Sequence, residues 1–200
     1  MQQSSDVPTA DFPPLEVEVD GEVQTIYVHH PMWTSEITTN KNSLSFDYNN
    51  RMYLSTVEKF DPQKYFKINL MGGSLSYDVD LSKSGCGCVT ALNLVGLPAL
   101  DNEWDPFQYC DANLVSGHYC PEFDIMEANQ YGFRGAAHSC SLPTNGIYYN
   151  CDKGGSCVVD VLLNIDNFDF GPGSGYKIDT EKVFNVETKF FEKNGLLDGY

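Results

Sequence analysis

Pro121-Glu122-Phe123-Asp124-Ile125-Met126-Glu127-Ala128-Asn129 places three carboxylates within six residues of a strand-like segment. On a pleated strand the side-chain period is two, so Glu122 and Asp124 share a face. Glu127 falls on the opposite face of a regular strand. One extra residue in a β-bulge re-aims it to the face of the other two, a device common beside active sites. Three carboxylates crowded on one apolar sheet face repel one another, so at least one should hold its proton near neutral pH. Glycoside hydrolysis needs that division: an ionised carboxylate as nucleophile and a protonated carboxyl as acid. Two carboxyl groups on one short strand segment can approach the ~5 Å separation of retaining enzymes.

Strand signals continue on both sides. Val17-Glu18-Val19 and Gln24-Thr25-Ile26-Tyr27-Val28 alternate around a turn at Asp20-Gly21. Ser43 to Tyr48 and Arg51 to Ser55 alternate around Asn49-Asn50 and read as a hairpin. Ser74-Leu75-Ser76-Tyr77-Asp78-Val79-Asp80-Leu81 is the cleanest period-two run, and Ala91 to Val95, Tyr176 to Ile178 and Val183 to Phe191 follow the same habit. No convincing amphipathic helix interrupts them. Many short strands separated by turns predict an all-β sandwich or barrel, a single domain over residues 1–200. The last strand signal runs nearly to Tyr200, so we expect a sandwich that lacks strands at its C-terminal side.

Acidic residues outnumber basic ones 28 to 12, for a formal charge of −16. Such a chain repels phosphate backbones and anionic membranes, which argues against nucleic-acid and membrane partners. A neutral polymer such as a glucan meets no such penalty. The cysteines at 86, 88, 110, 120, 140, 151 and 157 lack zinc-site spacing, so disulfides in an oxidising compartment are the expectation. An odd count leaves at least one thiol without an internal partner. Met1-Gln2-Gln3-Ser4-Ser5-Asp6 has no basic region and no apolar core, so no leader is legible there, and either a mature secreted chain given a start Met or an incomplete gene is expected.

Glu122-Phe123-Asp124-Ile125-Met126-Glu127-Ala128-Asn129 resembles the active-site strand of glycoside hydrolase family 7, the cellobiohydrolases and endoglucanases. Phe12 to Leu15, Trp33-Thr34, Asn42 to Ser45, Tyr109 to Ala112, His138-Ser139-Cys140 and Phe170 to Gly173 resemble further stretches of that family in the same order. The resemblance implies a β-jelly-roll of two curved antiparallel sheets with a glucan groove across the concave one. It implies Glu122 as nucleophile, Glu127 as acid/base, Asp124 as the group that tunes Glu122, and His138 on the leaving-group side. Trp33, Tyr109 and Asp111 are candidate substrate contacts. By the family pattern Cys110 pairs with Cys120 and Cys140 with Cys151, while partners for Cys86 and Cys157 lie beyond residue 200. No metal and no organic cofactor is implied. The expected protein is a secreted, extracellular monomer acting on a β-glucan polysaccharide, cellulose above all.

Departures from the family bear on activity. Met126 stands where a Trp is usual and Asn93 where a Tyr is usual. Asp160-Val161-Leu162-Leu163 replaces a segment whose Arg contacts sugar. The short span between Cys110 and Cys120 favours an open groove and endo-cleavage. Two other readings stand beside this one: a family 16-like glucanase for β-1,3 or mixed linkages, and a glucan-binding, lectin-like sandwich without catalysis.

Overall fold

The structure, a computed structural model, describes residues 12–31, 36–102, 104–160 and 169–200. They gather into two compact units, one drawn from residues 1–67 with 102–108 and the other from 68–101 with 109–200. Among the described residues no helix is long and apolar enough to cross a membrane.

In the first unit β1 (Leu15–Val19) turns through Asp20-Gly21 into β2 (Glu22–His29). Both turn residues have positive φ, 52° and 82°, the geometry that suits the right-handed twist of a hairpin. The alternation predicted for β2 is realised: Ile26 and Val28 are fully buried and cluster with Leu15. β3 (Ile37–Asn40) and β4 (Ser43–Phe46) form a second hairpin around Lys41-Asn42, and β5 (Tyr53–Ser55) follows.

The hairpin expected across Asn49-Asn50 does not form. β4 pairs with β3, and β5 pairs with β2, Val28 opposite Leu54. Leu54 and Met52 thereby pack on the Leu15–Ile26–Val28 cluster, whereas most of β4 is exposed. Burial against β2 outweighs the local turn, since burying one aliphatic side chain stabilises by about 1.5–3 kcal/mol.

The second unit carries β6 (Ser74–Val79), β7 (Thr90–Val95), β8 (Glu122–Asn129), β9 (Gly132–His138), β10 (Cys157–Asp160), β11 (Phe170–Gly171), β12 (Ile178–Asp179), β13 (Phe184–Lys189), β14 (Phe191–Lys193) and β15 (Leu196–Gly199). Antiparallel β7, β8, β9 and β10 make a four-stranded sheet in the order β10-β9-β8-β7. β6 and β13 pair antiparallel over their full lengths.

One core cluster joins Phe123 and Ile125 of β8 to Phe190, with Leu75 and Tyr77 of β6 packed against it. Another joins Met126 and Ala128 of β8 to Leu81 and Phe170, with Tyr77, Val79 and Phe184 beside them. The apolar residues of β8 therefore face the β6–β13 pair. Because a strand has two faces, this choice sends the carboxylates of β8 to the other side of the sheet.

Candidate active site

Strand β8 contains the bulge on which the sequence argument depends. On β9, Ala136 faces Asp124 and Arg134 faces Glu127, so Gly135 alone opposes Ile125 and Met126. On β7 the register also shifts, with Leu92 opposite Met126 and Asn93 opposite Asp124. The extra residue puts Ile125 and Met126 side by side on the core face, both under 5% exposed. It returns Glu127 to the face of Glu122 and Asp124. Gly135 suits its place: a Cβ there would lie 3.3 Å from the Asp124 carbonyl, inside ordinary contact.

Glu122 and Asp124 are buried and Glu127 is half-buried. All three carboxyls are raised above their ordinary values, first by burial. For Glu122 the next causes are the charge of Asp124, opposed by the Ala112 N–H. For Glu127 burial and Asp124 push up while Arg134 and His138 push down. For Asp124 burial wins over the opposing His138 and Arg134. Desolvation and like charge act together, as expected of carboxylates sharing an apolar site.

Neighbouring elements hold these groups by specific hydrogen bonds. Asn93 Nδ2 donates to Glu122 Oε1 at 3.4 Å and the Ala112 backbone N–H to Glu122 Oε2 at 3.3 Å. Ala112 lies in the span closed by the Cys110–Cys120 disulfide, where the Cys120 N–H donates to the Asp111 carbonyl at 2.9 Å. Tyr109 donates its hydroxyl to Asp111 Oδ2 at 2.8 Å, and the Asn113 N–H donates to Asp111 Oδ1 at 2.7 Å. His138, opposite Glu122 in the β8–β9 register, places Nε2 3.0 Å from Asp124 Oδ2. Its Nδ1 lies 2.8 Å from the Asp152 carbonyl, which can only accept, so Nδ1 carries a proton.

The turn supplying that carbonyl follows the Cys140–Cys151 disulfide. Asp152 Oδ1 accepts from the Gly154 N–H at 3.1 Å and Oδ2 from the Ser156 N–H at 2.6 Å, which folds residues 152–156 against the His138 ring. Gly155, at φ 63°, sits where a Cβ would come within 2.8 Å of the ring.

The structure thus brings together Glu122, Asp124, Glu127 and His138, with Tyr109 and Asp111 in the adjoining span. Both expected disulfides are present, and Cys86, Cys88 and Cys157 are free thiols. Trp33 and residues 161–163 lie outside the described residues. Among the described residues no three or more His, Cys, Asp or Glu side chains are grouped to hold a metal ion. Sequence reasoning passed over Asp152, Gly155 and Arg134. Once a bulge is placed between Asp124 and Glu127, counting back along β9 from His138 finds Arg134, whereas nothing local marks the 152–156 turn.

An all-β sheet bearing a bulged strand of three raised carboxyls, one of them paired with a histidine, holds the carboxyl groups that glycoside hydrolysis employs. No protein-family model matches the chain. Endoglucanase type C of Fusarium oxysporum is 30% identical over 195 residues, covering 77% of this chain and 44% of that protein. Endoglucanase 1 of Humicola insolens is 28% identical over 202 residues, covering 81% and 49%. Among solved structures, native Humicola insolens endocellulase EGI matches with a TM-score of 0.64 at 27% identity, covering 80% of this chain and 49% of that one. A GH7 family cellobiohydrolase from Daphnia pulex shares the fold, with a TM-score of 0.72 at 17% identity over 98% of this chain and 68% of that one. The chain is similar in sequence to fungal endoglucanases, and its all-β fold is the jelly-roll of glycoside hydrolase family 7 structures. It spans about half the length of the curated relatives it matches.

Proposed function

We propose that this chain carries the catalytic strand of a retaining β-1,4-glucanase acting on cellulose in endo mode. The observation that carries the reading is the bulge between Asp124 and Glu127, which assembles three carboxylates on one face with the core on the other. In the proposed reaction the Glu122 carboxylate attacks the anomeric carbon. The glycosidic bond breaks, and Glu127 gives its proton to the departing oxygen. The resulting glycosyl ester on Glu122 is cleaved by water, whose proton returns to Glu127. Asp124, held by His138, stays beside Glu122 and tunes its charge.

Raised carboxyls suit this cycle, because Glu127 must hold a proton in the first step and release it for the second. The name of one relative, an endo-beta-1,4-glucanase of Emericella nidulans that is 25% identical over 201 residues, supports β-1,4-glucan as substrate over β-1,3-glucan. Two disulfides support secretion into an oxidising compartment, and a monomer is the proposed state.

Reducing-sugar release from carboxymethyl cellulose, with barley β-glucan and laminarin in parallel, tests the reading. Activity on cellulose that disappears in Glu122→Gln while cellulose binding persists is the expected result. Activity on laminarin alone would overturn the linkage. Release of cellobiose with little loss of viscosity would overturn the endo mode.

A further inference from the structure

Arg134 lies in a row with two carboxylates across three strands: Glu127 of β8 faces it on one side and Asp160 of β10 on the other. The same three residues line an open cleft of about 200 Å³, together with Val89, Asn129 and Phe133. Arg134 Nη2 donates to the Gly154 carbonyl at 3.2 Å. That bond ties it to the 152–156 turn, whose Asp152 carbonyl also holds His138. One turn, closed on itself by the Asp152 side chain, therefore anchors both Arg134 and His138.

We propose that Arg134 is a positioning residue for Glu127, a cation tethered across the sheet that sets the pH range over which Glu127 keeps its proton. The proposal rests on the reading of Glu127 as the acid/base.

Among the described residues, the charged groups on the strands around Glu127 are few. Glu122 and Asp124 come from β8, Arg134 and His138 from β9, and Asp160 from β10. The paired position on β7 is Ala91, with uncharged Asn93 further along it. Asp111 adds a charge that acts on Glu122 and Asp124. Arg134 opposes the upward push of burial and Asp124 on Glu127. A guanidinium stays charged throughout the working range, so its influence does not titrate away. In a double displacement this pull helps Glu127 ionise for the water step and limits its proton-donating form at high pH.

The test is the titration midpoint of the Glu127 carboxyl by 13C NMR in the whole chain, assigned with Glu127→Gln. It is compared among wild type, Arg134→Gln, Arg134→Met and Arg134→Lys, with pH profiles of kcat/KM on a soluble glucan recorded in parallel. The midpoint, and with it the alkaline limb, is expected to move upward in the two neutral variants and to stay near wild type in Arg134→Lys. Two neutral variants are used so that a folding failure in one leaves the other to decide. An unmoved midpoint in the neutral variants overturns the proposal, and so does an equal shift in Arg134→Lys, which would mean that shape rather than charge acts. A wild type inactive on every glucan would instead overturn the glucanase reading and leave the NMR midpoint to decide the charge effect of Arg134.

Discussion

His138 Nε2 lies 3.0 Å from Asp124 Oδ2, while Nδ1 of the same ring is committed to the Asp152 carbonyl. Since Nδ1 carries a proton, the contact with Asp124 contains one further proton, held either by the ring or by the carboxyl. An imidazolium facing a carboxylate and a neutral ring facing a carboxylic acid are the two forms of this pair. Both residues are buried, so the pair is poorly screened, and it stands beside Glu122.

Replacing His138 with Ala removes the group that pulls the Asp124 carboxyl down, so Asp124 rises further and its orientation loosens. We expect kcat on carboxymethyl cellulose to fall roughly 10²-fold, the scale of a misplaced catalytic group, with KM little changed. Steady-state kinetics on a soluble glucan separate the two constants. A rise in KM at constant kcat would show that the ring contacts substrate rather than positioning Asp124.

Gly155→Ala should damage both fold and site. The new methyl would meet the His138 ring at 2.8 Å and the Ala136 Cβ at 3.1 Å, from a backbone at φ 63° that side chains rarely adopt. Left-handed strain and overpacking together predict a loss of roughly 2–4 kcal/mol in unfolding free energy. Urea unfolding measures it, and an unchanged midpoint would mean that the 152–156 turn yields without effort.

The acidic face should destabilise the protein at neutral pH. Glu122 has a folded-state pKa above its ordinary 4.5, so the native state binds its proton more tightly than the unfolded chain does. Stability from this group is present below the unfolded value and is lost as pH rises through the folded one. Glu122→Gln, neutral at every pH, is therefore expected to melt above wild type at pH 7 and to lose that advantage below about pH 4. Thermal melts of both proteins across that range check it. An advantage that grows on acidification would reverse the sign of the argument.

Much of the site was legible in nine residues. Glu122, Asp124 and Glu127 could be singled out because carboxylates are rare on a strand whose other residues are apolar. The need for a bulge followed from parity alone. The strands β2, β6, β7 and β13 were readable because alternation is local and survives any partner. The β4–β5 hairpin was misread for the same reason: Asn49-Asn50 is a plausible turn, but pairing is settled by which apolar face finds a buried neighbour.

Residue chemistry and period thus established an all-β chain with a three-carboxylate strand, because side-chain type and two-residue alternation are written locally. Partnership was established by the folded chain. Glu127 joins the other carboxylates because β8 pairs with β7 on one side and β9 on the other, with Gly135 making room for the bulge. Arg134 faces Glu127, and the 152–156 turn reaches both Arg134 and His138, through contacts between segments far apart in sequence. Such contacts depend on register, turn geometry and the competition for buried surface, and no local pattern encodes those.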